Sequence, residues 1–361
     1  MENKISTGKI LLTISMILLL VVAVIGLGLF GTSVNATSQM GEIVAKADAV
    51  HENHAICVGP DDCIKEDCTH TEITTWEPFD VDSLTFSNYS TNLSGSYYLT
   101  EDVAFPEDSG FTVQSGAELN LCLNGHKLSF TDVDITIKVL GTLNICDCCT
   151  ESVTHYGSVN EDGYWEPSAT SGADDLKGGY LTFEQTTFFG ITNPRFIKLE
   201  GTNATFNFYS GNIAGIYTYN TNGYRLIDDA SATLGRTSVY QGNIIGNNVT
   251  EYLIYNKGGS LKVFGGVISK NTTEDYMVYV QGGNGYFANE ISENYTQGDY
   301  LLAANTAPLT LDGASVINNT TDYESKYVLY GTSSTFTIKD SIISGNKSEG
   351  GDSHIIFCTS S

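Results

Sequence analysis

The hydrophobic positions of this chain recur in short runs at a long, nearly fixed interval. Between residues 241 and 346 an aliphatic residue followed three places later by Asn returns five times. The pairs are Ile244/Asn247, Ile268/Asn271, Ile291/Asn294, Val316/Asn319 and Ile343/Asn346, stepping by 24, 23, 25 and 27 residues. After each of the first four comes a Tyr-headed apolar run: Tyr252-Leu253-Ile254-Tyr255, Tyr276-Met277-Val278-Tyr279, Tyr300-Leu301-Leu302-Ala303 and Tyr327-Val328-Leu329-Tyr330. The fifth unit has His354-Ile355-Ile356-Phe357 in that slot. Leu261-Lys262-Val263, Leu309-Thr310-Leu311 and Phe336-Thr337-Ile338 form a third run that closes most units. A period of this size marks a solenoid. There is no helical apolar stripe, and about two dozen residues are too few for a propeller blade.

Three short runs joined by Gly, Asn, Ser and Thr suit one rung of a parallel β-helix. Each strand then pairs with its counterpart one coil away, at about 4.8 Å. The crossover rule makes the coil right-handed. The expected fold is therefore all-β, a right-handed parallel β-helix of about 24 residues per coil over residues 93–361. The recurrent Asn is expected to take the left-handed backbone region at a bend. Its amides are expected to hydrogen-bond along the stack, as in cross-β ladders.

Earlier in the chain, Leu119-Asn120-Leu121-Cys122 returns 24 residues later as Leu143-Asn144-Ile145-Cys146. This offset predicts Leu119 over Leu143 and Cys122 beside Cys146, bonded or not, with the aliphatic residues inward. Cys148 and Cys149 follow at the strand end. Residues 150–178 break the rhythm and read as an excursion from the solenoid, either functional or a plain mobile insertion.

Residues 10–30 form an apolar run after Lys4 and Lys9, and Val34-Asn35-Ala36 follows. Residues 1–36 thus read as an export signal or a retained membrane anchor, which places the remainder outside the cytoplasm. Residues 37–92 read as a polar leader, flexible to about residue 53, and then a His/Cys-rich cap. In that cap His54, Cys57, Cys63, Cys68 and His70 supply enough imidazole and thiolate for a zinc site, with Cys57, Cys63, Cys68 and His70 as the candidate ligands. In an exported chain disulfides compete for the same thiols. The last coil has no polar repeat to seal it, so end-to-end association with a second copy is a candidate contact.

Lys and Arg total 17 against 42 Asp and Glu, a net charge of −25. That excludes charge-driven binding of nucleic acid or of an anionic membrane, and it leaves room for divalent cations such as calcium. The phrases Gly95-Ser96-Tyr97-Tyr98-Leu99-Thr100-Glu101-Asp102-Val103, Leu121-Cys122-Leu123-Asn124-Gly125-His126 and Leu143-Asn144-Ile145-Cys146-Asp147-Cys148 resemble exported β-helix proteins of anaerobic Gram-positive gut bacteria, in the pectin-lyase-like superfamily. The resemblance implies a secreted or cell-surface β-helix and no settled activity.

The superfold hosts polysaccharide lyases and glycoside hydrolases. Hydrolysis needs two converging carboxylates. A calcium-dependent lyase needs a cation site and a basic residue. Arg225 near Asp228 and Asp229 is the one cluster of that flavour. The aromatic columns say more. Tyr252, Tyr276, Tyr300 and Tyr327 form one; Tyr255, Tyr279 and Tyr330 belong to the other. At three residues apart, strict alternation sends them to opposite faces, so one column points outward. An outward aromatic stripe suits a glycan or a surface protein. The expected function is an exported binding protein. The alternatives are a lyase or hydrolase acting on acidic polysaccharide, and a structural spacer.

Overall fold

The structure, a computed structural model, describes residues 51–56, 74–184, 194–218, 223–229, 235–298, 300–322, 327–349 and 354–359. The signal or anchor segment 1–36, with its apolar run 10–30, lies outside the described residues. So do Cys57, Cys63, Cys68 and His70. No described helix is long and apolar enough to cross a membrane.

The chain is a right-handed parallel β-helix of about nine turns, with a mean spacing near 26 residues rather than 24. Each turn adds a strand to three parallel sheets. Counted over the described residues, sheet 1 has ten strands, from Glu77–Pro78 through Glu118–Cys122 and Thr142–Cys146 to Phe336–Lys339. Sheet 2 has nine, from Val103–Ala104 to Ile342–Ser344. Sheet 3 has ten, from Ser90–Asn92 to His354–Thr359. A five-stranded ribbon from Asn248–Val249 to Lys347–Ser348 lies between sheets 2 and 3 along the chain.

The register follows the repeat. Ile244 pairs with Ile268, Ile268 with Ile291, Ile291 with Val316 and Val316 with Ile343. Leu119 faces Leu143 and Cys122 faces Cys146. Inward side chains from Phe79 to Leu329 form one continuous core cluster. The Cys pair belongs to a separate cluster on the outer face of sheet 1. The two are not joined by a disulfide.

The repeated Asn stack as a buried ladder. The Nδ2 group of Asn247 donates to Oδ1 of Asn271 at 3.0 Å, and the next three steps are each 2.9 Å, ending at Asn346. Each Oδ1 from Asn271 onward also accepts the backbone N–H of the preceding Asn in the ladder, at 3.0–3.1 Å. The left-handed residue is not the Asn but its predecessor. Gly246, Lys270, Glu293, Asn318 and Gly345 have φ of 58°, 54°, 55°, 54° and 65°. Turning one residue early leaves each Asn free to aim its amide down the axis. Replacing Glu293 by Gly relieves a non-glycine residue of this backbone, and it is expected to stabilise the fold by about 0.5 kcal/mol after the entropic penalty of Gly. A rise in the urea midpoint checks this.

The excursion is docked against the outside of sheet 2. Thr154–His155 pairs with Leu176–Lys177, and Gly157–Val159 with Trp165–Pro167, both antiparallel. Trp165 is 2% exposed against Leu176, Tyr180 and Ala214. Its backbone N–H donates to the Gly246 carbonyl at 2.7 Å. Lys270 closes the far side on Asp174. Asp174 and Asp175 thus serve the loop's own turns, accepting from the backbone N–H groups of Val159 and Gly157.

Candidate functional site

The two Tyr columns lie on the same face of sheet 3, which corrects the expectation from alternation. Tyr252 pairs with Tyr276, and Tyr255 with Tyr279. Between them Leu253 and Ile254 are consecutive and both buried, at 0% and 1% exposure. Each strand bends there and sends two neighbours inward, so the residues on either side both point out. Phe196/Ile197, Leu226/Ile227, Met277/Val278, Leu301/Leu302 and Val328/Leu329 repeat the device.

The outward rings stack into one strip. Ring centroids are 5.4 Å apart for Tyr252 and Tyr255, 4.8 Å for Tyr276 and Tyr279, and 4.0 Å for Tyr300 and Tyr330 with planes 3° apart. Phe357 continues the strip at 4.7 Å from Tyr327. Tyr255 is buried, and the other six Tyr are half-buried. Stacking occupies much of the ring faces. Burial raises the Tyr252 and Tyr255 hydroxyls above the usual phenol range, so they stay protonated donors. Tyr255 donates to Gln281 Oε1 at 2.5 Å.

One end of the strip rests on charge. The Arg225 guanidinium lies 4.8 Å from the Tyr252 ring and 4.3 Å from Tyr255. It also binds Glu251 through Nε at 2.8 Å and through its NH2 nitrogen at 2.6 Å. Asp228 accepts from Arg195 Nε at 2.6 Å and lies 3.3 Å from Arg225. Burial opposes the charge on Arg225, but Glu251 and Asp228 outweigh it and raise its pKa. Neither guanidinium is a base while protonated. Asp229 points the other way, into the helix interior at 1% exposure. Asp228 and Asp229 therefore cannot share one calcium ion or one sugar bond, and the expected trio separates. Arg195 and Glu251 were not legible partners, because Arg225, the neighbour of Arg195 in the stack, lies a longer interval along the chain than the regular repeat.

A shallow cleft opens on sheet 1. It encloses about 260 Å³ and is lined by Lys262, Phe264, Asn284, Gly285, Tyr286, Pro308 and Thr310. Phe264 and Tyr286 end an outer column that begins with Tyr209 and Tyr240, at ring spacings of 4.6, 5.4 and 5.6 Å. Its sequence signal is an aromatic residue within or just after the third run of each unit.

The second candidate is a thiol and imidazole cluster. His51, His54, Cys122 and Cys148 each offer a ligand atom, and these atoms lie within 4.8 Å of one another. This arrangement could hold a metal ion. The segment bearing both His lies over the outer face of sheet 1. His54 forms an antiparallel bridge with Thr74, and its carbonyl accepts from Trp76 Nε1 at 3.1 Å. His51 stacks on Tyr98 at 4.1 Å. Packing against the outer face of sheet 1 thus begins by His51. Burial, reinforced by His54, lowers the His51 pKa to about 4. Burial pushes the Cys122 thiol up. The Cys148 thiol is raised chiefly by its hydrogen bond to Cys122. Of these four, only His54 stood out in the His/Cys-rich segment; His51 lies just before it, and Cys122 and Cys148 come from distant parts of the chain. The chain matches no family model, no curated protein and no solved structure.

Proposed function

We propose that the chain is an exported β-helix protein that binds a neutral polysaccharide along the aromatic strip of sheet 3. The observation that carries this is the placement of both Tyr columns on one outer face. Five coils at about 4.8 Å give a strip about 20 Å long, and the two columns make it roughly 10 Å wide. That is about 200 Å², well below the roughly 800 Å² per partner of a stable protein interface. A single glycan chain fits such a strip better than a protein surface does. Phenol edges and hydroxyls meet sugar hydroxyls, and rings already stacked lose little freedom on binding. The net charge of −25 disfavours polyanionic ligands.

A glycan array followed by titration of the best hit tests this. Tyr276→Ala and Tyr300→Ala are each expected to weaken binding about five- to tenfold, on the order of 1 kcal/mol. Tyr286→Ala in the sheet 1 cleft is expected to leave affinity unchanged. Loss only with Tyr286→Ala moves the site to the cleft. Capture of a protein but no glycan rejects the reading.

The charged group of Arg195, Arg225, Asp228 and Glu251 beside the strip favours a second reading, a polysaccharide lyase or hydrolase. Release of unsaturated uronic products from acidic polysaccharide tests it. Zinc at Cys57, Cys63, Cys68 and His70 remains a proposal from the spacing alone.

A further inference from the structure

We propose that His51, His54, Cys122 and Cys148 form a four-coordinate zinc site that clasps the N-terminal lead-in to two successive turns of the helix. The proposal is independent of the glycan reading.

The donor set is the first argument. Two imidazoles and two thiols form the N₂S₂ group that suits zinc, and four protein ligands make a closed structural site. Geometry is the second. A tetrahedron with bonds of about 2.0–2.3 Å has edges of about 3.3–3.8 Å. Nε2 of His51 lies 3.2 Å from Nε2 of His54, close to such an edge. The whole set falls within 4.8 Å, so closing on an ion requires only small side-chain shifts. The third argument is the outer support of the ligands. His54 Nδ1 lies 2.6 Å from the Ala55 carbonyl, so it carries the proton and donates there. Its Nε2 then presents a lone pair to the cluster, as metal-bound imidazoles generally do.

A disulfide is the rival. It would use two of these sulfurs and leave both imidazoles converging on them without a purpose. Cys122, Cys148 and Cys149 form no disulfide, and Cys148 Sγ stands 3.7 Å from Cys149 Sγ. Zinc binding instead takes both thiols as thiolates and releases two protons to solvent, with no oxidant needed.

The placement assigns the role. Cys122 ends one sheet 1 strand, and Cys148 follows the next. Among the described residues, the segment bearing both His meets the solenoid through packing, the His54–Thr74 bridge and the hydrogen bonds from Trp76 to Asn53 and His54. A bound ion therefore fixes that segment over the outer face of the first turns.

The test uses the full-length chain, purified in detergent under reducing conditions and dialysed against trace zinc. Zinc per chain is measured for the wild type and for the His51→Ala/His54→Ala double variant, whose changes lie outside the solenoid core. The expected result is the loss of one zinc per chain with an unchanged circular dichroism spectrum. Zinc held by Cys57, Cys63, Cys68 and His70 would be common to both proteins and cancels in the difference. Cobalt loading gives a second readout. The wild type is expected to show tetrahedral d–d bands with thiolate charge transfer, weakened in the double variant and in Cys122→Ser. Equal zinc content in wild type and double variant overturns the proposal. So does peptide mapping, on protein prepared without reductant, that finds Cys122 in a disulfide with Cys146, Cys148 or Cys149.

Discussion

Replacing Asn294 by Ala is expected to cost about 3 kcal/mol of stability, because four buried hydrogen bonds lose a partner at once. Asn294 is 1% exposed. Its Nδ2 donates to the Ile268 carbonyl at 2.8 Å and to Asn319 Oδ1 at 2.9 Å. Its Oδ1 accepts the backbone N–H of Asn271 at 3.1 Å and its Nδ2 at 2.9 Å. Alanine leaves groups on two neighbouring coils unsatisfied, in a place water does not reach from the core side. Asn346, half-buried at the last ladder position, is expected to tolerate alanine at about 1 kcal/mol. Urea unfolding of the two variants gives the comparison. Equal small losses would mean that the ladder contributes no more than ordinary surface amides.

Gly283→Ala is expected to be as damaging or worse, about 4 kcal/mol, from two causes that add. Gly283 has φ +70°, where a Cβ is strained. That Cβ would also fall inside the Gly259 carbonyl oxygen one coil below, and backbone cannot swing aside. Gly259 stands in the same relation to Gly235, so the corner between sheets 3 and 1 is a column of glycines that lets coils approach closely. Gly313 separates the causes. Its φ is +73° and an added Cβ meets nothing within 4 Å. Gly313→Ala is expected to cost only about 1 kcal/mol, the backbone share. If thermal melting puts both variants at the same loss, the close approach of coils at this corner is wrong.

The coil period, the inward aliphatics and the Asn column were legible because each is a repeat of chemistry at fixed offset. Leu119 over Leu143 and Cys122 beside Cys146 followed from one tetrad and its copy. The left-handed positions were not legible. Gly, Lys, Glu, Asn and Gly occupy them, and no side-chain type marks the backbone there. The Tyr columns were misread for a different reason. Tyr252-Leu253-Ile254-Tyr255 contains two adjacent apolar residues, which period-two alternation cannot bury together; a bend can. The adjacent pair was the available signal. The metal candidate was hidden by distance, since Cys122 and Cys148 meet His51 and His54 only when the lead-in lies on sheet 1.

Cross-linking by register is the most direct measurement of the stacked-coil account. Lys262 pairs with Tyr286, and Tyr286 with Thr310, all on the outer face of sheet 1. Adjacent coils place Cα atoms within the roughly 4.4–6.8 Å that a disulfide spans, while two coils lie about 9.6 Å apart. Under mild oxidation Lys262→Cys with Tyr286→Cys is predicted to cross-link within the chain, and Lys262→Cys with Thr310→Cys is predicted not to. Peptide mapping that finds the second bond, or that fails to find the first, would contradict the fold on which the strip, the ladder and the clasp all depend.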